Sequence, residues 1–177
     1  MRTTAVLVAL LFLTSTAAFA AGSAMPGQFT GALLVGCTGL AVAGIGIALV
    51  PVLRPHGAGL ATGYLVLRAV EGLVLLGIAV YVATTGHRVE GFEPFVYAFT
   101  GAGGLVLSVL LLRSGLVPRW LAVLGTVGYA ALLAGVALGL SGTDAGIVFL
   151  APGGLFELVL PILLLVKGFT PVAGSAR

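Results

Sequence analysis

The chain has 177 residues, 60% of them hydrophobic and only 7% charged, with a mean hydropathy of +1.25. Soluble domains carry about 25% charged residues, so this composition excludes an ordinary water-soluble globular protein, and no polar block is long enough to form a separate soluble domain. The net charge of +3 is no nucleic-acid signature either: six of the eight Lys and Arg residues stand singly at helix ends or termini and make no basic stripe.

Apolar segments long enough to cross a bilayer recur from end to end, which predicts an all-α fold, a polytopic transmembrane bundle forming one integral membrane domain over 1–177. In chain order the helices are expected over about 4–21, 30–53, 58–83, 94–112, 117–140 and 146–166. At 1.5 Å per residue each can span a hydrocarbon core of about 30 Å. The first is the shortest, and it has a rival reading. Arg2, a short apolar core and Ala18-Phe19-Ala20 ahead of Ala21 also fit a cleaved signal peptide, which would leave five helices. The lone Cys37 excludes an internal disulfide and reads as a small packing residue in helix 2.

Orientation follows from the positive-inside rule. With the N-terminus in the cytoplasm, Arg2, Arg54, Arg113, Arg119, Lys167 and Arg177 fall inside, and only Arg88 falls outside, beside Glu90, Glu93 and Asp144. Both termini are therefore expected in the cytoplasm. Seven Arg against one Lys, amid abundant Ala, Gly and Val, suggests a high-GC bacterial genome, so the expected location is a bacterial plasma membrane. In the turn between helices 4 and 5, Pro118 suits the first turn of helix 5. Arg113, Arg119 and Trp120 read as interfacial anchors, as does Lys167 at the end of helix 6. Gly59-x3-Gly63 and Gly135-x3-Gly139 are small-residue faces expected to pack within the chain, and the glycines of helix 2 suggest a central position for it.

Three charges stand out at membrane depth. Arg68 and Glu71 are three apart on one face of helix 3, roughly 12 and 16 Å from its cytoplasmic end. Glu157 lies ten residues before Lys167, roughly 15 Å from the same surface. Twelve Leu, Ile and Val residues between Leu60 and Val82 contribute roughly −4 to −7 kcal/mol to insertion, and two central charges cost about 5 to 7. Helix 3 is near break-even alone and needs partners. In helix 6, Pro161 has no N–H to give the Glu157 carbonyl, and Pro152-Gly153 is expected to break or kink the same helix. One shared cluster of Arg68, Glu71 and Glu157 is the expectation, with Arg68 bridging both carboxylates.

No catalytic constellation accompanies it. His56 and His87 lie in loops on opposite sides of the membrane, so they cannot share a metal or a haem, and no intramembrane His stands ready to activate a serine. Gly101-Ala102-Gly103-Gly104 lacks the Lys-Ser/Thr of a phosphate-binding loop. No enzyme activity, metal or cofactor is expected. The expected partners are membrane lipids and, through the cluster, a proton, cation or small polar ligand; nucleic acid is not among them, and the oligomeric state stays open. Two functions remain: binding or transport at the cluster, or a structural or accessory role in which the cluster only fixes helix packing.

Leu65-x-x-Arg68-x-x-Glu71-Gly72, the stretch from Arg113 to Gly125 beginning Arg-Ser-Gly-Leu-Val-Pro-Arg-Trp-Leu, and Glu157 through Val166-Lys167-Gly168-Phe169 together resemble the bacterial membrane proteins of the domain of unknown function 4386 family. The resemblance covers roughly helix 3 to the C-terminus, and the chain is more compact than that family between its first two helices. It implies a multi-helix plasma-membrane protein of uncharacterised activity, and it implies that Arg68, Glu71 and Glu157 belong to the family's pattern without giving them a role.

Overall fold

The computed structural model describes residues 2–142 and 149–170. Six helices carry nearly all of them: α1 (Arg2–Ser23), α2 (Phe29–Leu53), α3 (Ala58–Thr85), α4 (Glu93–Ser114), α5 (Arg119–Leu140) and α6 (Ala151–Lys167), with a short 3-10 turn at Arg54–His56. The first five are long and apolar enough to cross a membrane. With 17 residues, α6 extends about 25 Å and is the shortest, in place of helix 1. The expected start of helix 6 near Gly146 falls outside the described residues, as do Asp144 and Arg177.

Local chemistry sets the boundaries. Gly86 and Gly115, both with positive φ, terminate α3 and α4. Pro118 holds an extended ψ and caps α5 from outside, so the helix starts at Arg119 and excludes Val117. The reason is steric, since a residue preceding proline is driven out of the helical region. In lipid the helical hydroxyls must find internal partners. Ser15, Thr38, Ser108 and Thr126 each donate to a carbonyl three or four residues back.

Each helix packs against the two that flank it in sequence, and α1 packs against α6, so the six close into a ring. Short connections make neighbours antiparallel. Arg2, Arg54, Arg113, Arg119 and Lys167 consequently gather at one end, and Arg88, Glu90 and Glu93 at the other. We call these the basic end and the acidic end. Leu40, Ile47, Val66, Leu73, Val80 and Val127 are exposed on the outer surface, the surface that acyl chains would cover. Cys37 is exposed there too, so it is not a packing residue.

Glycine decides how closely the helices meet. A Cβ on Gly39 would stand 2.7 Å from the Gly72 carbonyl oxygen, and one on Gly72 2.7 Å from that of Gly39, so α2 and α3 cross backbone to backbone. Gly128 of α5 approaches Gly153 of α6 in the same way. Gly36, Gly39 and Gly46 of α2 thus serve its seam with α3, Gly44 faces Leu11 of α1, and the glycines do not make α2 a central helix. A Cβ at Gly59, Gly63 or Gly139 would meet no atom within 4 Å, so the Gly59–Gly63 face does not pack within the chain as expected, while in the second pair Gly135 is buried and Gly139 is not.

The interior is unequally filled. A large apolar cluster occupies the basic half, built from Val8, Phe12, Leu49, Leu53, Leu107, Leu110, Leu121, Leu160 and Leu164. Leu116 and Val117 of the α4–α5 turn are buried in it, and so is Phe169, whose neighbour Thr170 donates its N–H to the Leu116 carbonyl at 2.9 Å. The turn is therefore only half interfacial: Arg113, Arg119 and Trp120, which is 58% exposed, face outward while its apolar residues cork the bundle. Phe169→Ala is expected to cost about 3–5 kcal/mol. Unfolding in mixed micelles checks this, and a loss below about 1 kcal/mol would remove Phe169 from the cork. A smaller apolar cluster, Val35, Leu75, Ala79 and Val96, lies toward the acidic end.

Candidate functional site

Between the two apolar clusters lies a cavity of about 200 Å³. Its walls are Phe12, Ser15, Thr16, Phe19 and Ala20 of α1, Thr38, Val42 and Ile45 of α2, Arg68, Glu71 and Leu75 of α3, Val96, Tyr97 and Thr100 of α4, and Glu157 of α6. All three charges singled out in the sequence line it.

Arg68 and Glu71 form an ion pair, Nη1 to Oε2 at 2.7 Å, and each residue is only 2% exposed. The i,i+3 spacing on one helix brings them together without help from elsewhere. The Arg68 Nε donates to the Tyr64 hydroxyl at 3.2 Å, one turn earlier, and the guanidinium lies over that ring with 5.4 Å from Cζ to the centroid. The stem of Arg68 fits because Gly46 faces it: a Cβ there would come within 2.9 Å of the Arg68 Cβ. Gly103 lies against the guanidinium from α4. The other oxygen of Glu71, Oε1, accepts from Thr100 Oγ1 at 2.5 Å, tying α3 to α4.

Glu157 is held differently. Its Oε1 accepts from the Tyr129 hydroxyl at 3.0 Å, tying α6 to α5. Tyr129 is fully buried between Gly104, where any side chain would overlap its ring, and Phe156, which it meets edge to face at 5.6 Å. The glycine run in α4, which resembled no phosphate loop, is the seat of this tyrosine and of the Arg68 head group.

Arg68 does not bridge both carboxylates. Among the described residues the ion pairs are Arg68–Glu71 and the exposed Arg88–Glu93, and Glu157 takes part in neither. The Arg68 Nη2 is buried without a hydrogen-bond partner, and Thr16 Oγ1 is in the same position. An unsatisfied buried polar group costs about 1–3 kcal/mol, and more if charged. The expectation of one bridged cluster thus becomes two separately anchored carboxylates on one cavity, with an under-satisfied guanidinium.

The proline expectation for α6 also changes. Pro152 and Gly153 occupy the first turn, where a missing N–H is harmless, and Gly153 serves the contact with Gly128. The helix continues unbroken through Pro161. Since proline has no N–H, the carbonyl of Glu157 has no donor four residues on.

Tyr64, Thr100, Tyr129 and Thr16 were not singled out in the sequence. Tyr129 was the most accessible of them: it lies ten residues beyond Arg119, about 15 Å deep, the depth that the same count from Lys167 assigns to Glu157.

Fold and site together define a polytopic helix-bundle membrane protein with a polar cluster buried among its spans. The family model described as Domain of unknown function (DUF4386) matches residues 89–168, just under half of the chain, so the chain is similar to that family from the α3–α4 loop to the end of α6. The matched stretch contains Thr100, Tyr129 and Glu157, and begins after α3, so Arg68 and Glu71 lie outside it. No curated protein and no solved structure matches the chain.

Proposed function

We propose that the protein is a ligand-binding membrane protein, not an enzyme, that takes a small polar or charged molecule into the cavity lined by Arg68, Glu71 and Glu157. One observation carries this reading: an arginine only 2% exposed lines a cavity of about 200 Å³ with one guanidinium nitrogen unpartnered. That volume is about six or seven times the share of one water in the liquid. Charged groups inside a bilayer are costly and mark ligand or ion sites more often than they serve packing.

The unequal filling of the bundle supports a site approached from one side. Between cavity and basic end stands the large apolar cluster corked by Leu116, Val117 and Phe169. Between cavity and acidic end stand, among the described residues, the smaller cluster and the edge-to-face pair of Phe19 and Tyr97, 6.3 Å between ring centres. In the plasma membrane, with both termini cytoplasmic as the distribution of Arg and Lys indicates, the approach is from outside the cell. Because α1 supplies five of the lining residues, the site exists only with helix 1 in place.

A structural reading has its own support, because Thr100–Glu71 and Tyr129–Glu157 each tie two neighbouring helices. Substitution separates the two. A glutamine in place of Glu157 would still accept from Tyr129 through its carbonyl oxygen. Glu157→Gln is therefore expected to leave the melting temperature within about 3 °C of wild type, a change of less than about 1 kcal/mol, while weakening ligand uptake at least tenfold. A large drop in melting temperature, with no saturable ligand found for the parent, would favour the structural role.

A further inference from the structure

We infer that the occupant of this cavity is a small organic ammonium ion, an inference that rests on the binding reading above. Charge comes first. Two carboxylates and one guanidinium line the cavity, so with all three ionised it carries one net negative charge. Arg68 is committed to Glu71 at 2.7 Å, and the two Glu71 oxygens are both engaged, one by Arg68 and the other by Thr100. Glu157 forms no ion pair among the described residues: one oxygen takes the Tyr129 hydroxyl, and the Thr16 hydroxyl lies beside the carboxylate, which keeps lone pairs for a further donor. A positive ligand balances the site, and a ligand N–H has an acceptor waiting.

The walls choose among cations. Apart from the three charges and a few hydroxyls, the lining is apolar and aromatic, with Phe12, Phe19, Val42, Ile45, Leu75 and Tyr97, so most of an occupant's surface would meet hydrocarbon and aromatic rings. A sodium or magnesium ion needs about six oxygens around it. Among the described residues no three His, Cys, Asp or Glu side chains group to supply such a shell. An alkylammonium needs one carboxylate, apolar contact for its carbons and the faces of aromatic rings for its charge. The unpartnered Arg68 Nη2 then suits a water or a hydroxyl on the same ligand, which can accept from it.

The test is calorimetric titration of the full chain in nanodiscs with ethylammonium, tetramethylammonium, sodium, ethanol, acetate and glycine, each as the sole added solute. Saturable binding of an ammonium ion, at least tenfold tighter than of ethanol and at least tenfold weaker in Glu157→Gln, is the expected result. Glu157→Asp, which keeps the charge, should retain most of the affinity; if the glutamine variant fails to fold, the contrast between ethylammonium and ethanol in the parent chain carries the test. Binding of sodium in preference to either ammonium ion overturns the organic cation. Binding of acetate or glycine but not of ammonium overturns this inference and leaves the binding reading standing. Binding of none of the six overturns both.

Discussion

Arg68→Ala is expected to destabilise the protein by about 3–5 kcal/mol, the largest loss of any single polar substitution. The arginine is 2% exposed and pairs with Glu71, so its removal leaves one carboxylate unpaired and a second, Glu157, without a nearby cation. Breaking a buried pair from one side is costly for that reason, whereas replacing both partners by apolar groups of similar size is often close to neutral. The double substitution Arg68→Met with Glu71→Leu is therefore expected to recover most of the loss. Unfolding of the parent, Arg68→Met, Glu71→Leu and the double variant in mixed micelles closes the cycle. An Arg68→Ala loss below about 1 kcal/mol would mean that the guanidinium contributes little to the fold.

The second large effect belongs to a glycine. Gly104→Val is expected to cost about 3 kcal/mol or more, at or beyond the upper range for overpacking, because the new Cβ overlaps the ring of Tyr129. That ring has nowhere to go: it is fully buried and wedged against Phe156, which itself abuts Gly125. Displacing it also strips Glu157 of its hydroxyl donor. Gly63→Ala is the control, since nothing stands within 4 Å of a Cβ there. In mid-helix that change should be neutral or stabilise by about 0.5–1 kcal/mol. Equal effects from the two substitutions would contradict the packing described for α4 and α5.

What was legible in the sequence divides along a physical line. Membrane spans are dictated by length and hydropathy, both local properties, so the apolar runs announce themselves. Arg68 and Glu71 were legible as a pair because three residues of α-helix fix their geometry. Glu157 was found by depth alone, and depth places a residue on a level without saying what it touches. Its donor, Tyr129, and the partner of Glu71, Thr100, come from other helices, and only the order of helices around the ring decides such contacts. The glycines show the same limit. Gly59 and Gly63 have the spacing of a packing motif yet face outward, while Gly39 and Gly72, with no motif between them, make the tightest α2–α3 contact. The α4–α5 turn was half legible: its charges and Trp120 point outward as their chemistry requires, but the burial of Leu116 and Val117 depends on Phe169, distant from them in the chain.

The binding reading requires a cavity inside the membrane that is sealed toward the basic end and approached from the acidic end. A cysteine placed at Thr16, in a Cys37→Ser background, tests it most directly. Thr16 lines the cavity, and Cys37 is exposed and would otherwise react. With a small membrane-impermeant thiol reagent applied separately to each face of sealed vesicles, modification is predicted only from the face bearing residues 86–92. Modification from the face bearing Arg113 and Arg119, or equally from both, would contradict this one-sided access.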